Sequence, residues 1–448
     1  MYAGTMPQYA NRAELLINGD AMLPSLLADI HAARSTIHIS IFLWFRDPIG
    51  DELADALLAR ARNGVAVRVL LNVQKTAMGD PFSTGEAEMM EHDPTVKHDP
   101  TEVTPLCERM REGGVQVFDT NIDYDAKLLG IHPRLQSIST QIADAIDIDV
   151  LHVDHRKIIV IDGRIAYCGG ANIGAQYLYH VPFDPAKEAK QEGEERRVAE
   201  LSEPWWKWHD SLTRFEGPIA AELDRAFHER FVLDGGPDFT PPQGIDTAPE
   251  TNRGHAIREA RVLCNAPSPK ANAVRELYLE LIRNAERSIF IENPYLYHPA
   301  IVDALCEAKS ARPKLDVTLI LPALEWNDNK FAQDAQQHEY VRYLAHGIRV
   351  YEYRNHFTHV KLAVFDERYS IHGSTNLNFR SLEDDKDFEL VVLVDDEPFA
   401  RQVLELVRDV DLRYSKEIVA HDLGSHLAGF RMRHRDPRTL YLISQRVL

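Results

Sequence analysis

A chain of 448 residues with 44% apolar content can bury a large core and has length for two or three domains. Its net charge of −19 argues against a nucleic-acid partner, which needs a basic balance or a dense basic face. Four scattered cysteines, Cys107, Cys168, Cys264 and Cys306, lack CxxC spacing and fit a reduced cytoplasmic setting, and no apolar run approaches the roughly 18 residues of a membrane span, so any membrane contact is expected to be peripheral.

Taken in order, the chain reads as a polar start followed by a helix over 21–34, with apolar Met22, Leu23, Leu26, Leu27, Ile30 and Ala33 on one face and Pro24 in its first turn. A strand over 35–42, a helix over 51–63 closed by Gly64, and a strand over 65–71 come next. This α-β-α-β order predicts a parallel sheet flanked by helices. The pattern returns further on: 277–285 and 286–292 match the first helix and strand, while 300–311 and 315–321 match the second pair. Gly114-Val115-Gln116-Val117-Phe118 corresponds to Gly347-Ile348-Arg349-Val350-Tyr351, each a short strand after a glycine that stops a helix. The duplication predicts two homologous α/β/α halves, 12–234 and 260–418, each with a mixed, mainly parallel sheet, joined by a Gly/Pro-rich linker at 235–259 and followed by a basic tail at 419–448. The first half alone carries long insertions, 76–104 and 121–149, which in compact domains tend to be lids or binding loops.

Chemistry is concentrated in one motif, present once per half. His155-Arg156-Lys157-Ile158-Ile159-Val160-Ile161-Asp162 enters an apolar strand, and His359-Val360-Lys361-Leu362-Ala363-Val364-Phe365-Asp366 repeats it. Residues two apart on a strand share a face, so each imidazole and its neighbouring ammonium can meet one anion together, as a phosphate requires. Each run leads into a turn, Gly169-Gly170-Ala171-Asn172 and Gly373-Ser374-Thr375-Asn376, where Asn172, Ser374 and Asn376 are candidate donors to phosphoryl oxygens. Asp162 and Asp366 lie off the HxK face and are expected to fix the motif loops. Two halves with one motif each imply a shared site at their interface.

With paired HxKxxxxD motifs, each ending in a G[GS]xN turn, the chain resembles the phospholipase D superfamily, most closely its bacterial cardiolipin synthase and phospholipase branch. The similarity runs from Glu14 through Asn376-Leu377-Asn378-Phe379-Arg380-Ser381 to about Lys416. It implies a phospholipid phosphodiesterase or phosphatidyltransferase needing no metal or other cofactor, working at a membrane surface through a phosphohistidine. The catalytic set would be His155, Lys157, Asp162, His359, Lys361 and Asp366. The resemblance makes His155 the nucleophile and His359 the acid and base, and points to Asp210 and Glu389 as the carboxylates that orient the imidazoles. Asp154, Asp384, Asp385 and Asp387 compete for that role. The alternatives are a nuclease using the same histidines, which the acidic charge disfavours, and a silent membrane-binding scaffold, which two intact motifs disfavour.

Other features are weaker. The Trp205-Trp206-Trp208 cluster serves either as a lipid anchor or as packing. Arg431, Arg433, Arg435 and Arg438 offer a contact for anionic headgroups or a plain solvated tail. Arg380 is a further candidate cation for the phosphate pocket.

Overall fold

The computed structural model describes residues 9–72, 103–120, 153–181, 207–241, 249–265 and 272–423, apart from 325, 328, 355 and 384–386. The bulk of both insertions (76–102 and 121–149), Trp205, Trp206, Asp384, Asp385 and the basic tail beyond 423 lie outside these residues.

Each half is an eight-stranded sheet. In the first, β2 (Thr36–Ile41), β3 (Ala66–Leu71) and β4 (Gln116–Asp119) run parallel. The sheet then continues through β5 (Ile158–Ile161), β6 (Ile165–Gly169), β7 (Ser211–Glu216), β1 (Asn11–Ile17) and β8 (His255–Ile257), and every pairing from β2 to β8 is antiparallel. The second sheet repeats the plan. Parallel β10 (Ser288–Glu292), β11 (Asp316–Pro322) and β12 (Arg349–Tyr353) are extended on one side by antiparallel β13 (Leu362–Phe365), β14 (Tyr369–Gly373), β15 (Glu389–Asp395) and β9 (Glu259–Asn265), and on the other by antiparallel β16 (Ser415–Glu417). The sheets are therefore mixed, but antiparallel pairing exceeds the mainly parallel expectation. The motif strand doubles back on itself through a tight turn, and a hairpin pairs antiparallel without a crossover helix. At that turn Asp162 and Gly163 both take positive φ, 53° and 63°, which an Asp-Gly sequence supplies at little cost.

The parallel strands are connected by helices as expected, with shifted ends. Helix α1 (Gly19–Ala32) starts two residues before its predicted position, directly from Asn18 at φ 66°, which leaves Pro24 inside the helix rather than in its first turn. Helix α2 (Pro48–Arg62) starts earlier because the Asp47 carboxylate accepts from the amides of Ile49 and Gly50 while Pro48 occupies the first turn. The segment between the halves is not a simple tether: His255–Ile257 adds to the edge of the first sheet and 259–265 to the edge of the second.

Helices bury the outer face of each sheet in its own apolar cluster. A third cluster belongs to both halves. It joins Ile158, Val160, Ala166 and Phe215 to Phe290, Val360, Val364, Leu390 and Val392, all at most 2% exposed. Burying that much apolar surface in one continuous interior, at about 25 cal/mol per Å², makes the halves a single packed unit. It also fixes the distance between the two motifs.

Candidate active site

The motif histidines and lysines precede their strands rather than lying within them. His155 and Lys157 stand in an extended lead-in to β5, and His359 and Lys361 in the equivalent lead-in to β13. The lead-ins do not pair inside their own sheet; each bridges the opposite half. Asp154 bridges Phe388 and His209 bridges Thr358, both in parallel sense. The amide of His155 donates to Phe388 O (3.0 Å), and that of His359 to His209 O (2.7 Å). In both bridges, the residue before an imidazole meets the residue before a carboxylate.

Two crossed imidazole–carboxylate hydrogen bonds result. His155 Nδ1 lies 2.8 Å from Glu389 Oε1, and His359 Nδ1 lies 2.7 Å from Asp210 Oδ2. Each carboxylate comes from the half that does not carry its imidazole. With Nδ1–H donated to a carboxylate, Nε2 keeps its lone pair and turns toward the cleft. The Lys157 ammonium donates to His155 O (2.8 Å), and Lys361 donates to His359 O (2.9 Å) while sitting 2.9 Å from His359 Nε2.

Burial shapes the protonation states. His155 is held below its ordinary pKa first by burial and then by Lys157, with Glu389 opposing. His359 is pushed well below, by burial and then by Lys361, Lys157 and His155. These mutual effects place all four basic groups in one pocket. Burial brings Lys157 down to about 7 and raises Asp210 to about 7. A phosphodiester anion entering here meets cations that lack competing water, where charge-assisted contacts are strong.

The remaining candidates divide. Asp162 and Asp366 sit at the far ends of β5 and β13, where each carboxylate collects backbone amides, from Arg34, Ser35 and Thr36 in one half and from Glu286, Arg287 and Ser288 in the other. They brace the motif hairpins and do not reach the pocket. Asn172 is committed elsewhere: its Oδ1 accepts from Leu43 N (3.2 Å) and its Nδ2 donates to Tyr177 Oη (3.1 Å). Ser374 donates to Glu389 Oε2 and accepts from Leu390 N, so it supports the carboxylate instead of reaching for phosphate. Asn376 differs from both, since its buried Oδ1 has no hydrogen-bond partner among the described residues, and only its Nδ2 could donate to a phosphoryl oxygen. Asp154 is locked to Arg156 (2.7 and 2.8 Å) and Asp387 to Arg380 (2.6 and 2.9 Å), which removes both acids as imidazole partners and ties up the Arg380 guanidinium.

Sequence reasoning missed several neighbours. Ser381 donates to Glu389 Oε1 at 2.6 Å, and only its place in the Asn376–Ser381 run hinted at a role. Phe42 packs against His155 (5.0 Å between centroids) and under the Lys157 ammonium (5.2 Å). Trp208, Tyr177 and Phe357 surround His359 at 5.2, 5.6 and 5.8 Å. Trp208 is thus a wall of the site and not a lipid anchor. Cys168 is fully buried, as a small hydrophobe would be.

A family model described as "Cardiolipin synthase, PLD-like domain" matches residues 26–182 and 278–409. Cardiolipin synthase A of Buchnera aphidicola subsp. Acyrthosiphon pisum (strain APS) is 26% identical over 397 residues, covering 88% of this chain and 68% of that protein. A Pseudomonas putida Cardiolipin synthase A is 28% identical over 426 residues, covering 94% and 72%. The crystal structure of a phosphatidylserine synthase from Haemophilus influenzae Rd KW20 shares the fold with a TM-score of 0.58 at 14% identity, covering 99% of this chain and 97% of that one. Two matched segments that each contain one motif, on a fold that brings both motifs to one pocket, establish that the chain belongs to the cardiolipin synthase, phospholipase D-like family.

Proposed function

We propose that the protein transfers the phosphatidyl group of a phospholipid to an alcohol or to water through a phosphohistidine, with His155 as nucleophile. The crossed imidazole–carboxylate pairs carry this reading, since they set two Nε2 atoms with opposite tasks in one basic pocket. His155 Nε2 has no hydrogen-bond partner among the described residues, so its lone pair is free to attack phosphorus. His359 Nε2 accepts from the Lys361 ammonium at 2.9 Å, which sets it apart from His155 Nε2 and suits a nitrogen that exchanges a proton during turnover.

Binding of the phosphate anion between the two lysines favours uptake of a proton on His359 Nε2; in the first step the N–P bond then forms and the bond from phosphorus to the leaving oxygen breaks, with that oxygen taking this proton and leaving His359 neutral. In the second, His359 Nε2 removes the proton of the incoming hydroxyl, its oxygen bonds to phosphorus, and the P–N bond breaks. Lys157 and Lys361 hold the non-bridging oxygens, Asn376 donates to them, and Asp210 stabilises the imidazolium that His359 becomes. These side chains supply a nucleophile, an acid and positive charge.

A phospholipid suits this pocket better than a nucleic acid. One phosphodiester satisfies the two lysines, and acyl chains contribute about 0.8 kcal/mol per buried methylene. A polynucleotide depends on many phosphate contacts along its strand, which a chain of charge −19 opposes. Among the described residues no helix is long and apolar enough to cross a membrane, so we propose contact from the membrane surface.

The test is incubation with phosphatidylglycerol vesicles, with and without glycerol, and identification of products by mass. Phosphatidyl transfer products or phosphatidic acid are expected. Cleavage of DNA that collapses between about 50 and 200 mM salt, with no lipid product, would move the chain to nuclease chemistry.

A further inference from the structure

Directly behind His359 lies a second group of ionisable side chains that the phosphoryl chemistry does not use: His209, Glu292 and Asp411, at most 3% exposed by side chain. One ligand-type atom from each falls within 4.8 Å of the others. His209 Nε2 is 3.0 Å from Asp411 Oδ2 and 3.8 Å from Glu292 Oε1. Ligands about 2.0–2.1 Å from a tetrahedral zinc stand roughly 3.4 Å apart, midway between those two separations.

The surroundings also point to a cation. His209 Nδ1 is 2.8 Å from Asn18 Oδ1, an acceptor that places the proton on Nδ1 and aims Nε2 at Asp411 Oδ2, its hydrogen-bond partner at 3.0 Å and the contact a metal ion would replace. Glu292 and Asp411 hydrogen-bond each other and neither is paired with a lysine or arginine among the described residues, so this buried pair is held together by either a proton or a cation. Glu292 Oε2 is buried without a hydrogen-bond partner. So is the hydroxyl of Tyr353, a residue outside the trio whose ring stacks on His209 (5.0 Å, 18°) and whose oxygen lies in the field of Asp411 and Glu292. Tyr353 is fully buried.

We propose that His209 Nε2 and the carboxylates of Glu292 and Asp411 bind a divalent transition-metal ion of the zinc class, with the Tyr353 hydroxyl or a water completing the shell. Imidazole and carboxylate donors suit zinc better than the all-oxygen cations. The ion ties together the first half at His209, the end of β10 at Glu292 and the short helix Arg408–Asp411 at Asp411. It does not touch the phosphate. Its place is positional: His209 precedes Asp210, and Thr358, which donates to Glu292 Oε1 at 2.6 Å, precedes His359.

The experiment uses the full chain without a histidine tag, expressed with zinc in the medium and exhaustively dialysed. Metal analysis should find about one zinc per chain in the parent and a loss to about a tenth of that in Glu292→Gln and Asp411→Asn. Cobalt incorporated in place of zinc should give the visible bands of a four-coordinate N/O site in the parent. A parent chain that holds no transition metal and gains no thermal stability from added Zn²⁺ or Co²⁺ overturns the proposal, leaving the carboxylates neutralised by a shared proton. Metal retained equally in both variants overturns it as well, by placing the ion elsewhere. If a variant does not fold, the parent's stoichiometry and cobalt spectrum decide alone.

Discussion

The two imidazoles sit on equivalent backbone and in unlike surroundings. Glu389, which holds His155, is itself held by Ser374 and Ser381, and its amide donates to Asn265 Oδ1 (2.7 Å). Asp210, which holds His359, has a bond from Ser211 N (2.7 Å), and burial raises its pKa to about 7. His155 has a 12% exposed side chain and a free Nε2, whereas His359 is enclosed by Trp208, Tyr177 and Phe357 and engaged by Lys361. Gene duplication alone would give two equal histidines. The difference in their supports matches the proposed division of labour, in which His155 attacks and His359 exchanges a proton.

Removing either imidazole should be the largest effect. His155→Ala and His359→Ala are each expected to lose on the order of 10³-fold or more in turnover, and the double variant little beyond that, because attack and leaving-group protonation belong to one step. Losses that multiply in the double variant would contradict a shared site. Enzyme denatured at alkaline pH, where the P–N bond survives, should carry the phosphatidyl group on His155; finding it on His359 would invert the assignment.

Next come the carboxylates. Asp210→Asn is expected to cost roughly 10²-fold or more in phosphoryl transfer, and to remove the rise in activity as pH increases through about 7, where Asp210 ionises. In the parent, the fall above that point belongs to Lys157, whose pKa of about 7 means loss of a phosphate-binding charge as pH rises. A parent pH profile flat from 6 to 8 would sink this reading of the pair.

Exchanging the turn residues tests the asymmetry itself. Ser374→Gly removes one brace on Glu389 and should cost about tenfold, equivalent to about 1.4 kcal/mol. The mirror change, Gly170→Ser, should cost more, because a Cβ at position 170 would fall 2.3 Å from Asp210 Oδ1 and 2.8 Å from His359 O, displacing the carboxylate. Steady-state kinetics showing the two changes equally mild would mean that the supports are interchangeable.

The smallest effect is on stability. A carboxylate with a folded pKa of about 7 and an ordinary value of 3.8 binds more protons in the native state between those values. Stability therefore declines as pH rises across that window, and the whole cost of the buried charge is present above it. Asp210→Asn should raise the melting temperature by a few degrees at pH 8 and by less at pH 5. A larger gain at pH 5 would show that the carboxylate is ionised in the native state at far lower pH.

Much of this was legible in the linear chain. The duplicated α-β pattern and the two motifs were available because hydrophobic periodicity and short spacings are local properties, whereas Asp210 and Glu389 as imidazole partners were implied only by the family resemblance those motifs carry. The antiparallel extension of both sheets was less visible, since a tight hairpin after an apolar strand overrides the helix-linked parallel order that precedes it. What the sequence could not supply was allocation. Asn172, Ser374 and Arg380 have the side chains a phosphate site wants, yet their hydrogen bonds go to Tyr177, Glu389 and Asp387. A donor's partner is decided by which groups converge on it after folding, and these three meet partners five or more positions away. The same holds for the crossing of the pairs. Residue types determined that each histidine needs a carboxylate, but only the shared interior between the sheets, which brings Asp154 beside Phe388 and His209 beside Thr358, decided that each would find it on the opposite half.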